Sequence, residues 1–210
     1  MINSRHKKLY EHYTKYFKQT SVFSLQLKKE LMQDGTGPIT TFVFRPTKVL
    51  PFWKLCTIGA SDYLMPERDI GSGRHANRRN EYVMFLSPEI KVSRSSADWL
   101  RLNALLWHTA EYPRKANENL TVSDTIDMGL NERYCGTVLL LPEIFHSPDF
   151  VKCYISTNKL ISIFQVMPVT RGQITEKLKR GGEGTYWLME QFYTHNEDYE
   201  LISSEPLATL

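Results

Sequence analysis

Cysteine is scarce in this chain: Cys56, Cys135 and Cys153 are the only three in 210 residues. The number is odd and no pair forms CxxC, so neither a disulfide framework nor a thiolate metal site is written here. All three lie in apolar or β-like surroundings, which points to reduced core thiols in a cytoplasmic protein rather than reactive thiolates. No run approaches the ~20 consecutive apolar residues that cross a bilayer. The longest, Thr137 to Pro142, suits a buried strand, and Met1 to Lys8 is charged without the apolar core of a signal peptide. No GxSxG occurs. The six histidines, His6, His12, His75, His108, His146 and His195, form no HxH, HExxH or HxxxH. Gly71-Ser72-Gly73 precedes a strand, whereas a phosphate cradle opens a helix. The sequence therefore predicts no enzyme, no metal and no cofactor.

Charge of one sign is also short overall. The net +3 is too small for a dedicated nucleic-acid binder, but its distribution is uneven. Residues 1–30 hold seven Lys or Arg against two Glu, a balance of +5, and residues 183–210 hold six acids and no Lys or Arg, a balance of −6. Such a split marks partner surfaces, or two ends that lie near each other. With 41% apolar and 23% charged residues the chain has an ordinary globular composition. Its length suits a single domain able to bury roughly 70% of its unfolded surface.

Periodicity sets the elements. Leu9, Tyr10, Tyr13, Tyr16 and Phe17 share one face of a helix that Asn3 or Ser4 can cap. Val22 to Met32 reads equally as helix or strand, and Asp34 to Pro38 as a turn. Strands are predicted over Thr40–Arg45, Phe52–Gly59, Glu81–Pro88, Thr137–Pro142, Lys152–Ser156 and Leu160–Pro168. Both faces of Glu81–Pro88 are apolar, so both are expected to be buried. Ser95-x-x-Asp98 opens a helix striped by Trp99, Leu102, Leu106 and Ala110, which Tyr112-Pro113 should end. Thr170-x-x-Gln173 is a capping box, Gly181-Gly182 a stop, and Thr185 to about Thr194 a last helix with Trp187, Leu188 and Phe192 inward. The tail from Glu197 is expected to be mobile. About six strands and four helices without strict alternation predict an α+β fold, a mixed α/β sandwich with helices packed on a central mixed β-sheet.

Three places hold candidate functional residues. Gly59 suits a sharp turn, Asp62 can fold back onto loop amides, and Glu81 opens an apolar strand where an acid needs a partner, either Arg79 or an amide of the Ser61 turn. Gly59, Ser61, Asp62 and Glu81 thus form a candidate polar clasp, with a structural role preferred. The loop from Glu67 to Asn80 carries Arg68, Arg74, His75, Arg78 and Arg79, suited to an anionic partner, protein or nucleic acid. Its plainer reading is a solvated loop. Trp107 lies off the apolar stripe and is a candidate interface anchor. A hydrolase would need Asp62, Glu67, His75 and Glu81 to converge in one cleft.

Four segments in order carry a family resemblance. Cys56-Thr57-Ile58-Gly59-Ala60-Ser61-Asp62, then Arg79-Asn80-Glu81-Tyr82-Val83-Met84-Phe85-Leu86, resembles the T-x-G-x-S-D turn and Glu-led strand of the suppressor-of-fused family in its compact bacterial form. Trp99 to Tyr112 resembles its W-x-x-x-L helix, Thr137 to Pro142 its mid-domain strand, and Ile163 to Thr170 its late strand and helix cap. The resemblance covers about residues 40–182. Gly172-Gln173 stands where the family usually has an acid, and Glu176 comes later. The resemblance implies a non-enzymatic protein-binding domain. The family's animal member holds an extended peptide between two domains by strand addition. Compact bacterial members resemble immunity proteins, or antitoxins, encoded beside the polymorphic toxins they neutralise. A regulatory adaptor that meets nucleic acid through residues 68–79 is the alternative.

Overall fold

An amphipathic stripe at the start of the chain needs a surface to cover. Helix α1 (Ser4–Phe17) presents Leu9, Tyr13 and Phe17 as its buried residues. They pack on one face of a mixed eight-stranded sheet seen in a computed structural model. The structure describes residues 4–26, 37–93, 96–130, 133–145, 147–195 and 201–203. The strands are β1 (Phe23–Gln26), β2 (Thr40–Phe44), β3 (Trp53–Ile58), β4 (Asn80–Leu86), β5 (Thr125–Asp127), β6 (Gly136–Leu140), β7 (Lys152–Ser156) and β8 (Lys159–Val169). The main path runs β1-β2-β3-β4-β8-β6-β5. Every pairing is antiparallel except β4 with β8, which is parallel from Asn80 opposite Ser162 to Val83 opposite Gln165. The length of β8 lets β7 pair with its first part and β6 with its second.

The alternation of β4 divides the interior. Tyr82, Met84 and Leu86 enter one cluster, under α2 (Ala97–Ala116). Val83 and Phe85 enter the other, under α1, where Phe17, Phe145 and Phe150 stack closely. The expected burial of both β4 faces is therefore met along all of its length. Helices α3 (Arg171–Lys179) and α4 (Gly184–His195) complete an α+β fold. The capping box is formed at Thr170, whose hydroxyl accepts from the Gln173 amide while the Gln173 side chain accepts from the Thr170 amide. Gly181 at φ 56° leaves the helical region just after α3.

Several expectations change. Val22–Met32 begins as a strand, β1, and its remainder from residue 27, like Asp34 to Thr36 of the expected turn, lies outside the described residues. The three-residue β5 had too little sequence to announce itself. Ser95 lies outside the described residues, and Ser96 is the N-cap of α2 without a side-chain cap bond. Pro113 does not end α2. Proline deletes a single N–H, and the turn continues to Asn117, whose left-handed backbone (φ 54°, ψ 46°) stops the helix. Within the tail expected to be mobile, Leu201 and Ile202 are buried. Strand β8 covers only Asn80 to Val83 of β4. The tail covers part of the rest of that edge, with the Ile202 amide donating to the Phe85 carbonyl and the Ser87 amide to the Ile202 carbonyl. Among the described residues no helix is long and apolar enough to cross a membrane. All three cysteines are free and buried.

Candidate functional site

Strand β3 ends at a turn that only glycine opens easily. Gly59 has φ 115°, and a Cβ there would stand 2.6 Å from the Pro38 carbonyl oxygen. A single 3₁₀ turn, Ala60–Asp62, comes next. Glu81 reaches this turn from the second position of β4, on the α1 side of the sheet, and is fully buried. Its Oε1 accepts from the Gly59 amide (3.0 Å), the Ser61 amide (3.0 Å) and the Ser61 hydroxyl (2.7 Å). Its Oε2 accepts from the Thr57 hydroxyl at 2.7 Å. Thr57 Oγ1 also accepts the Tyr82 amide at 2.8 Å. Burial pushes the Glu81 carboxyl above its usual value, against the Ser61, Thr57 and Gly59 hydrogen bonds that favour the ionised form. Of its two expected partners, the Ser61 amide is the one used. Arg79 instead donates to the Ser61 carbonyl (2.5 Å) and the Asp62 carbonyl (3.3 Å), holding the turn from outside.

Asp62 does not fold back on loop amides. Its Oδ1 takes Arg5 Nη1 at 2.7 Å and its Oδ2 takes His6 Nε2 at 2.8 Å, both from the first turn of α1. Burial works to raise the Asp62 carboxyl, but His6 and Arg5 together hold it below its usual value. The hydrogen bond to Asp62 raises His6 in turn. Farther along α1 the Tyr13 hydroxyl donates to the Thr57 carbonyl at 3.2 Å. Gly59, Ser61, Asp62 and Glu81 thus lie in one network that joins α1, the β3 turn and β4. Arg5 and His6 carry no sequence signal for this role, because nothing local ties the start of the chain to a turn more than fifty residues later.

The arginine loop is scattered in its contacts. Arg68 forms a two-pronged pair with Asp124, through Nη1 to Oδ2 and Nη2 to Oδ1, and Nη1 also meets the Asn119 carbonyl. Arg78 donates to the Met65 carbonyl (2.7 Å) and to Glu67 (3.2 Å). Arg74 and His75 are exposed. Trp107 is partly buried against the α2-side cluster, with Lys115 Nζ 5.5 Å from its ring centre.

These features define a class: a mixed-sheet α+β domain with helices on both faces and a buried acid that ties a strand-end turn to the next strand. The family model for Suppressor of fused protein (SUFU) matches residues 35–199, and the chain belongs to that family. No curated protein matches the chain. Solved structures do. The Sufu–Fu complex crystal structure aligns at TM-score 0.61 and 14% identity, over 98% of this chain and 91% of that one. A SUFU homolog from Neisseria gonorrhoeae FA 1090 aligns at 0.57 and 15%, over 97% and 98%. Drosophila Suppressor of Fused aligns at 0.60 and 16%, over 96% of this chain and 50% of that longer one.

Proposed function

We propose that the chain is a non-enzymatic binding protein whose partner is another protein, and that the partner is a toxin domain that it neutralises as an immunity protein, or antitoxin, in a bacterial cytoplasm. The saturation of the polar centre carries the first half of this reading. Both oxygens of Asp62 and both of Glu81 are occupied by donors from the chain itself, which suits a structural tie and leaves neither acid poised for a substrate. Family membership supports it, and the Sufu–Fu complex is a precedent for this fold meeting a protein. The opposed charges of residues 1–30 and 183–210 suit a surface that steers a charged partner.

The other readings find less support. A hydrolase needs Asp62, Glu67, His75 and Glu81 together, yet Asp62 turns to α1, Glu67 to Arg78, Glu81 to the Ser61 turn, and His75 to solvent. A nucleic-acid adaptor needs the loop cations free, and Arg68, Arg78 and Arg79 hold the chain's own acids and carbonyls. Co-expression of the tagged chain with the product of the neighbouring gene tests the proposal. A stoichiometric complex that removes the neighbour's toxicity is the expected result. A harmless neighbour that does not co-purify overturns the immunity role.

A further inference from the structure

A polar cavity of about 550 Å³ opens where α2 ends, between residues 66–68 and the segment 117–125 that leads into β5. Its size is that of ordinary ligand sites, roughly 300–1,000 Å³. No residue of the Asp62 clasp is named on its lining, and none of its named lining residues adjoins an undescribed one in the chain. Asn119 lines it and is 5% exposed. The Asn119 Nδ2 donates to the Pro66 carbonyl at 2.9 Å, which fixes the orientation of the amide. Its Oδ1 is thereby left as an acceptor with no partner among the described residues. The buried hydroxyl of Thr125, also on the lining, has none either. An unmet buried acceptor costs free energy that a donor on a guest recovers.

The field at the cavity is negative. α2 brings the negative end of its dipole, and its C-cap, Asn117, is on the lining. The cations of the last turn, Arg114 and Lys115, are not named on the lining, and Lys115 turns back to Glu111. Among the described residues Glu67, Glu118 and Asp124 line the cavity against one cation, Arg68. Arg68 is engaged by Asp124 and the Asn119 carbonyl, and Glu67 meets Arg78, so Glu118 is the acid left to a guest. Glu118 is exposed and forms no ion pair among the described residues. It accepts the Tyr112 hydroxyl at 3.2 Å, which brings that ring to the carboxylate. Partial burial, and after it the Glu118 carboxylate, raise the Tyr112 phenol above its ordinary value.

We infer that this cavity takes a guanidinium group, free or at the end of an arginine side chain, with its donors toward Asn119 Oδ1, Thr125 Oγ1 and Glu118 and its plane against the Tyr112 ring. A planar cation with a fork of donors suits acceptors spread over several residues and stacks on an aromatic face, which a compact ammonium does less well. Among the described residues no three acids, histidines or cysteines are placed to hold a metal ion instead. The site goes beyond the binding-protein reading and does not depend on the immunity role.

The probes are acetyl-Gly-Arg-Gly amide and agmatine, titrated at low salt into the isotope-labelled full chain and followed by amide shifts. Saturable binding at roughly millimolar probe is expected, with the shifts centred on residues 66–68 and 117–125. The tighter of the two probes tells whether the cation comes from a protein or from a small molecule, and binding of either supports the site. The citrulline peptide, which has nearly the same shape without the charge, should bind roughly tenfold more weakly or worse, and the lysine peptide roughly threefold. Glu118→Gln should weaken binding roughly three- to tenfold, whereas Glu190→Gln, exposed on α4, changes it less than about twofold. Asn119→Leu should weaken it at least threefold or so. Should that buried substitution unfold the chain, the exposed Glu118→Gln still decides. No saturation by about 10 mM, equal binding of the citrulline or lysine peptide, equal loss in the two glutamine variants, or shifts centred elsewhere overturns the proposal and leaves Asn119 Oδ1 and Thr125 Oγ1 to water only.

Discussion

Glu81 is the residue on which the centre turns. Four donors meet its carboxylate and no cation touches it among the described residues. Truncation to alanine strands buried donors from Gly59, Ser61 and Thr57, at a cost of about 3–5 kcal/mol by the scale of buried polar losses. Glu81→Gln should cost about 1–2 kcal/mol, since its carbonyl can keep the Ser61 side and the Thr57 hydroxyl can swing to the Tyr82 carbonyl, 3.3 Å away. Urea unfolding of the two variants checks the order; equal losses would mean that the bonds matter less than the volume. The second test is pH. His6 is raised above 6.5 in the fold, so its contribution is complete below that value and fades as pH rises through the folded one. Asp62 is held below 3.8, so its contribution is present above that value and is lost as pH falls through the folded one. The stability gap between the wild type and His6→Ala should therefore be widest between pH 3.8 and 6.5 and should narrow above. A gap that stays constant from pH 5 to pH 8 would mean that the pair contributes nothing through its charge.

At the scale of the element, the start of α3 is plain in the sequence because a capping box is a local device. Thr170→Ala removes one of its two reciprocal bonds and should cost about 1 kcal/mol, read as a shift of the urea midpoint. The stripe of α1 is equally legible, since Leu9, Tyr13 and Phe17 follow the helical period. The end of α2 is not. Pro113 reads as a stop, but a proline within one turn of a helix end removes too little to set the boundary, and Asn117 sets it. Strands β1 and β5 are short, and their pairing with β2 and β6 defines them more than their own residues do.

The whole molecule depends on contacts between distant segments. The clasp spans α1, the β3 turn and β4, and the sheet is closed near Phe85 by a residue close to the end of the chain. Ile202 is 4% exposed and packs in the α2-side cluster. Ile202→Ala should cost about 2–4 kcal/mol, the range for a truncated core aliphatic, although it lies in a segment that the sequence reads as a mobile tail. Hydrogen exchange at the Ser87 amide, which donates to the Ile202 carbonyl, should quicken in the same variant. Unchanged exchange there would show that the tail does not hold this edge.

The sequence by itself determined the class of fold, most element positions and the family, because hydrophobic period, caps and turn residues act over a few neighbours. It also marked Gly59, Ser61, Asp62 and Glu81 as one polar group. Which partners they meet was decided only by the tertiary structure. Arg5 and His6 reach Asp62 from the first turn of α1, Lys54 is buried with its amine on the Arg45 and Leu50 carbonyls, and Arg68 is drawn to Asp124. Hydrogen bonds between segments far apart in the chain leave no periodic trace in it, so packing alone selects them.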